Sequence, residues 1–294
     1  MNLKKDKPHK KRGLDPHHAK AFSIRWSVRI LLFVYALVVL YPLFWNIMSS
    51  FKTTEEILIS RTALPAGLAL DNYVRAFVTA NMGEYLLNSI FVVVLSLTLL
   101  LIFTIPCAYA LARYKFVGSK AMELMFAMCL FIQPVYIYIP LYTLLHRLNM
   151  LDNLWALSLV YAAIQIPFSA FLLAGYMRGI SPSFEEAARI DGCGNWKTLL
   201  KVVVPMAKPG IITVAMLNGM AFWNEYILAL VTLRTPGNRT LPVGVANLFE
   251  VQRRATDFGA LYAALMIVLV PTLIIYFIGQ RYLTKGIAMG GVKE

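Results

Sequence analysis

Six stretches of this 294-residue chain leave it little choice of surroundings. Residues 30–51, 85–112, 124–146, 153–177 and 258–280 contain no Lys, Arg, Asp or Glu, and a sixth stretch, 209–233, is interrupted only by Glu225. A helix needs about 20 residues to cross the hydrocarbon of a bilayer, and backbone in lipid must satisfy its own hydrogen bonds. Each stretch therefore predicts one transmembrane helix, and the expected fold class is an all-α membrane protein with six spans. Composition agrees: 59% of residues are hydrophobic and 15% charged, against roughly 25% charged in soluble domains. The first apolar run is too long, and lacks the small-residue site, for a cleavable signal.

The net charge of +13 does not imply nucleic acid. The basic residues are dispersed between apolar runs and form no patch interleaved with aromatics. Counted over alternate loops, twenty Lys and Arg fall on the side of the two termini and of residues 178–208, and eight on the other. By the positive-inside rule both termini and the 178–208 segment face the cytoplasm, as expected of a multi-pass protein of a bacterial cell membrane. The expected organisation is a basic tail over 1–25, a six-helix permease domain over 26–282 and a short tail over 283–294. The run "KKDKPHKKR" reads as a disordered basic flank that fixes topology, or as a segment that binds anionic lipid or a partner. Cys107, Cys129 and Cys193 lack paired spacing, so neither a disulfide framework nor a metal site is expected. No phosphate-binding loop, H-E-x-x-H or G-x-S-x-G is present, so the chain is expected not to be an enzyme and any ATP must bind elsewhere. The two long connections, 52–84 and 232–257, are of a length that is functional or disordered.

One segment breaks the apolar pattern: "SFEEAARIDGCGNWKTLLKVVVP", residues 183–205, within an expected loop of 181–205. Ser181 or Ser183 can cap a helix, Ser183 with Glu186 at capping-box spacing; Pro182 suits a first turn, and Gly192 can take the left-handed conformation that ends a helix. Phe184, Ala187, Ala188 and Asp191 recur at i, i+3, i+4 and i+7, which predicts a mostly small, apolar face open to close approach. Asn195 is placed to cap a second helix with Trp196, Leu199 and Leu200 on one side and Lys197 and Lys201 elsewhere. Pro205 marks the passage into the fifth span. Two readings follow from the residues alone: an amphipathic connector lying on the membrane, or a surface for another protein.

The same segment resembles the cytoplasmic loop of ABC importer permeases, in which E-A-A, three residues, G, nine residues, an aliphatic, one residue, an aliphatic and P follow in order. Glu186, Ala187, Ala188, Gly192, Val202, Val204 and Pro205 occupy those positions. "FKTTEEI", "CAYALARYKFVG", "WNEYILAL", "TLPVGVANL" and the terminal "GIAMGGVKE" resemble the carbohydrate branch, and over nearly the whole chain the likeness is to the smaller membrane subunit of maltose-type importers. The resemblance implies a type I importer fold and a heterodimer with a second permease. It further implies two cytoplasmic ATPase subunits that hold ATP and magnesium, this chain binding no cofactor, and an extracytoplasmic sugar-binding protein. It implies that Glu185, Glu186, Ala187, Ala188, Asp191, Gly192 and Pro205 serve ATPase coupling. It also implies that Gly290, Gly291 and Lys293 of the tail reach the ATPases, and that residues 232–257 project toward the binding protein.

For a translocation path the candidate polar residues inside the spans are Gln133, Gln165, Asn218, Asn224 and Glu225, chosen from a larger polar set, with Tyr136 and its neighbours Tyr138 and Tyr142. Asn218 and Glu225 lie about 20° apart on a helical wheel. Amides and aromatic rings suit sugar hydroxyls and ring faces, but the same residues also serve as interhelical glue. Glu225, expensive to bury alone, is expected to have a structural or gating role. The functional expectation is a permease subunit of an ATP-driven oligosaccharide importer. The alternatives are an ion-coupled carrier using Glu225 and an ABC permease for a polyol or glycerol phosphate.

Overall fold

The computed structural model describes residues 16–255 and 257–290, which form helices and connections, with no strand among the described residues. In chain order the helices are α1 (Pro16–Ser50), α2 (Thr54–Ile59), α3 (Asp71–Val74), α4 (Met82–Arg113), α5 (Ser119–Cys129), α6 (Tyr138–Arg147) and α7 (Leu154–Arg178). They continue as α8 (Ser183–Ile190), α9 (Asn195–Thr198), α10 (Val204–Met206), α11 (Lys208–Asn224), α12 (Ile227–Thr232), α13 (Leu241–Ala255) and α14 (Phe258–Gly290). Helix α1 begins inside the expected basic tail, and α14 runs past the boundary expected at residue 282.

Four of the expected spans are long unbroken apolar helices: α1 from Arg25, α4, α7, and α14 to Ile278. The other two are bent. The third expected span becomes α5 and the segment Pro134–Arg147, meeting at 100°. Pro134 has no N–H to continue a helix, and it drives the preceding Gln133 to an extended ψ of 126°. Pro42, Pro106, Pro167 and Pro271 lie within continuous helices, so proline alone does not set the break. Before α11 the chain turns by 77° from the segment Asn195–Met206. The fifth expected span then ends early, because Glu225 is extended (φ −68°, ψ 130°) and α12 starts afresh after it.

Helices α4 and α7 pack along each other at the centre, with α11 and α14 against them. The buried apolar residues form two groups at opposite ends of this bundle. One gathers Tyr85, Leu157, Tyr161, Phe222, Leu228 and Leu241; the other gathers Tyr109, Leu173, Met177, Leu199 and Val203. Along α1 the apolar side chains from Trp26 to Phe44 stay outside the core.

The two long connections are built structures. Thr53 and Glu56 form a reciprocal capping box on α2, and buried Lys52 donates to the carbonyls of Ser60 and Arg61 at 3.3 and 3.4 Å. Asn72 Nδ2 ties the carbonyls of Ser50 and Lys52 together at 2.9 and 2.8 Å. Across the bundle, Asn88 donates to the carbonyls of Gly237 and Arg239 at 2.7 and 3.0 Å, and Ser89 Oγ accepts from Leu241 N at 2.7 Å. The two connections also meet each other: Arg75 Nε donates to Asp257 Oδ2 at 2.8 Å.

Candidate functional site

Helix α8 forms where the sequence places it, with a different start. Pro182 is the N-cap, and its carbonyl accepts from Glu185 N and Glu186 N at 2.9 and 3.1 Å. Because Ser183 already lies inside the first turn, the expected Ser183–Glu186 capping box does not form. Its hydroxyl pairs instead with that of Ser181 at 2.8 Å. The helix ends as expected at Gly192, with φ +78°. Cys193 N reaches back to Ala188 O (2.9 Å) and Gly192 N to Arg189 O (3.0 Å), the paired bonds of a Schellman motif.

The face that α8 presents differs from the one its spacing suggests. Glu185 and Ala188, three apart, turn into the bundle, whereas Phe184, Glu186, Ala187, Ile190 and Asp191 are exposed. Ala188 therefore packs inward, and the outward apolar surface consists of Phe184, Ala187 and Ile190. The reason is Glu185, only 4% exposed. Its carboxylate receives Arg113 Nε on Oε1 at 2.5 Å and the Tyr109 hydroxyl on Oε2 at 2.9 Å. Arg113 also donates through Nη2 to Ile180 O at 2.8 Å. Arg113 is the last residue of α4, where a cation also meets the negative end of the helix dipole. A buried carboxylate without such partners would be strongly destabilising. Local pattern does not pair Tyr109 and Arg113 with this segment, since 72 residues separate Arg113 from Glu185 and both stand only within the stretch "CAYALARYKFVG".

After α8, Gly194 rather than Asn195 is the cap of α9, and Asn195 makes no side-chain cap. A π-helical turn over Leu199–Val203 follows, and Pro205 lies in α10. Leu199 is buried while Trp196 and Leu200 are exposed, so the three do not share a side as expected. A cavity of about 240 Å³ between α4 and this segment is lined by Pro106, Tyr109, Ala110, Tyr114, Asn195, Trp196 and Leu199. Gly290 is the last described residue of α14; Gly291 and Lys293 lie outside the described residues.

The polar residues of the spans separate into distinct surroundings. Glu225 sits at the α11–α12 break and accepts from Leu228 N (2.8 Å), Ala229 N (3.0 Å), Tyr161 Oη (2.5 Å) and, more distantly, Tyr138 Oη (3.4 Å). It thus starts α12 and ties it to α7 and to the segment after Pro134. Glu225, Tyr138, Tyr161 and Gln165 line one cavity of about 200 Å³ with Pro134 and Phe222. Gln133, Tyr136, Asn218 and Asn224 do not line it. Asn218 is buried and donates to Ser169 Oγ at 2.9 Å and Val214 O at 2.8 Å, joining α11 to α7. Asn224 donates to Met220 O, 2.8 Å away on its own helix, and Tyr136 is exposed. Tyr142 stacks on His146 and lies under Arg234, whose side chain bonds its hydroxyl.

The loop end of the bundle carries its own pocket, about 300 Å³, lined among others by Arg75, Asn81, Tyr85, Asn247, Leu248 and Asp257. Partial burial pushes the Asp257 carboxyl up, but the hydrogen bonds from Arg75, Ala260 N and Thr54, with the Arg75 charge, outweigh it, so the net shift is downward. Asp152, in the turn before α7, is also lowered: burial raises it, and hydrogen bonds from Thr235, Asn238 and Arg234 N prevail.

Residues 85–289 match the family described as binding-protein-dependent transport system inner membrane component. The chain is similar to the diacetylchitobiose uptake system permease protein NgcG of Streptomyces coelicolor, 37% identical over 262 residues that cover 88% of this chain and 86% of that one. It is also similar to the probable starch degradation products transport system permease protein AmyC of Thermoanaerobacterium thermosulfurigenes, 32% identical over 89% of this chain and 94% of that one. Among solved structures it superposes on a chain from the crystal structure of a bacterial ABC transporter involved in import of the acidic polysaccharide alginate. That match has a TM-score of 0.77 and 26% identity, covering 94% of this chain and 99% of the other. The helical bundle, its short connecting helix and a match across most of the sequence agree, and the chain belongs to the family of binding-protein-dependent transport system inner membrane components, the permeases of ABC importers.

Proposed function

We propose that this chain is a permease subunit of an ATP-driven oligosaccharide importer and that α8 is its contact with a cytoplasmic ATPase. The observation that carries the reading is the construction of α8. A buried ion pair holds one face to the bundle, and Phe184, Ala187 and Ile190 stand exposed on the other. A short rigid helix with an uncovered apolar face transmits rigid-body motion from whatever grips it. The distribution of Lys and Arg supports a cytoplasmic position for that helix and for both termini. The opposite pocket, at Arg75, Asn81, Asn247 and Asp257, would then face the extracytoplasmic binding protein.

In this reading a second permease completes the translocation path, and two ATPase subunits supply the ATP and magnesium chemistry. The chain itself acts as a non-enzymatic transport subunit. Relatives named for diacetylchitobiose, starch degradation products and arabinooligosaccharides support an oligosaccharide cargo. The cavity at Glu225, Tyr138, Tyr161 and Gln165 is the chain's own contribution to the path. An ion-coupled carrier acting alone has no need of a held helix with an uncovered apolar face such as α8.

The test is reconstitution of both permeases in vesicles with and without the ATPase and the binding protein, offering labelled maltotriose, diacetylchitobiose and arabinotriose. Uptake is expected only with ATP, ATPase and binding protein together. Uptake driven by a proton gradient, with this chain alone, would contradict the proposal.

A further inference from the structure

Two glycine-bearing links join α8 to the bundle: residues 179–182, opening on Gly179, and Gly192–Cys193–Gly194, where Gly192 takes φ +78° and both glycines have open space around them. Glycine gives a chain wide backbone freedom, so these links alone would let α8 pivot. A force applied to its exposed face would then be dissipated in the links.

What opposes the pivot is the contact among Arg113, Glu185 and Tyr109. The side chains of Arg113 and Glu185 are 11% and 6% exposed. In the other ion pairs among the described residues, both partners are at least 30% exposed. Exposed pairs hold little, whereas a buried, fork-shaped guanidinium contact fixes geometry. Arg113 binds two points, the Glu185 carboxylate on α8 and the Ile180 carbonyl in the first link, and so spans the hinge itself.

Its own helix leads somewhere. From Arg113, α4 runs 32 residues to Met82, about 48 Å at the rise of an α-helix. Near that far end Asn88 and Ser89 hold residues 237–241, and Tyr85 lines the loop-end pocket with Asn81 and Arg75.

We propose that Arg113 and Tyr109 are positioning residues that clamp α8 to the end of α4, making α4 the rod by which movement of α8 reaches the segment 237–241 on the opposite side. The proposal rests on the reading of α8 as the ATPase contact. The clamp locks the hinge at Ile180, so α8 and α4 turn together.

The experiment uses the complete complex in vesicles and reads two quantities. The first is labelled sugar taken up per ATP hydrolysed, with whichever of maltotriose, diacetylchitobiose and arabinotriose is best transported as the probe. Arg113→Ala and Glu185→Gln are expected to keep the ATPase bound and hydrolysing while uptake per ATP falls by about fivefold or more, the range of a site-to-site coupling. Arg113→Lys should recover part of the loss, and the exchanged pair Arg113→Glu with Glu185→Arg more of it. The second is the distance between spin labels at Ala187 and Lys115, which needs no transport: narrow in the parent complex, broad in Arg113→Ala. Unchanged uptake per ATP in both single variants, or an unchanged spin-label distribution, would overturn the clamp. Failure of the unmodified complex to take up any sugar with ATP would instead sink the functional reading, and the label distances would still judge the clamp.

Discussion

Replacing Glu225 with Ala should loosen the join between α11 and α12 by an amount the structure allows to be worked out. Two of its four contacts cap α12, at Leu228 N and Ala229 N, and loss of a helix cap costs about 1 kcal/mol, up to about 2. A third is the Tyr161 hydroxyl at 2.5 Å. Tyr161 is 3% exposed, so its donor would be stranded at a cost of about 1–3 kcal/mol. The fourth, Tyr138 at 3.4 Å, is long and adds little. The total is about 2–5 kcal/mol. Tyr161→Phe removes one bond without stranding a donor and should cost about 1 kcal/mol. Glu225→Gln keeps one acceptor but turns an amide NH2 toward donors, and should fall between. Hydrogen exchange in detergent or nanodiscs reads the effect at the amides of Leu228 and Ala229, where 2 kcal/mol is about a thirtyfold loss of protection. Equal protection in the parent and in Glu225→Ala would refute the claim that this carboxylate organises the break.

Other expectations follow from single contacts. Gly192→Pro forces φ to about −65° at a residue held at +78° and deletes the bond to Arg189 O. Uptake should be blocked while membrane insertion, followed by fractionation, is intact. A Cβ at Gly244 would clash with the ring of buried Tyr85, so Gly244→Ala should destabilise by about 1–3 kcal/mol in thermal unfolding. Asn218→Ala loses the link to Ser169 and should cost about 0.6–1.7 kcal/mol, the range of interhelical bonds in membranes. The Asp257 carboxyl is held below its ordinary value, so the attachment of residues 71–75 to it is fully present above about pH 4. That attachment is lost as pH falls through the lowered value, and proteolysis of this loop should rise in that acid range, with the pH step reduced in Arg75→Ala.

Much of the architecture is legible because lipid permits so few solutions. Charge-free runs mark spans, and a capped, charged insert with Gly192 marks α8. The misses share a cause: local pattern does not reveal long-range partners. Alanine spacing put Ala187 and Ala188 on one face, but Arg113, 72 residues before Glu185, recruits the Glu185 side and takes Ala188 inward with it. Glu225 was recognisable as a costly charge; that its carboxylate would supply the first-turn acceptor of a new helix depends on Tyr161 and Tyr138 approaching from elsewhere. Pro134 breaks a span and Pro167 does not, and nothing in the residues beside them separates the two. The amides read as one polar path divide, since Asn218 is spent joining helices and Gln165 lines the cavity.

Site-directed cross-linking decides whether the outward face of α8 is the ATPase contact. In a background with Cys107, Cys129 and Cys193 replaced by Ser, single cysteines at Ala187 and Ala188 are compared in the assembled complex. Ala187 is exposed and Ala188 is 7% exposed, turned into the bundle. Cross-links to the ATPase from position 187 but not from 188 are the predicted result. No cross-link from 187, or equal yields from both positions, would contradict the assignment of this face.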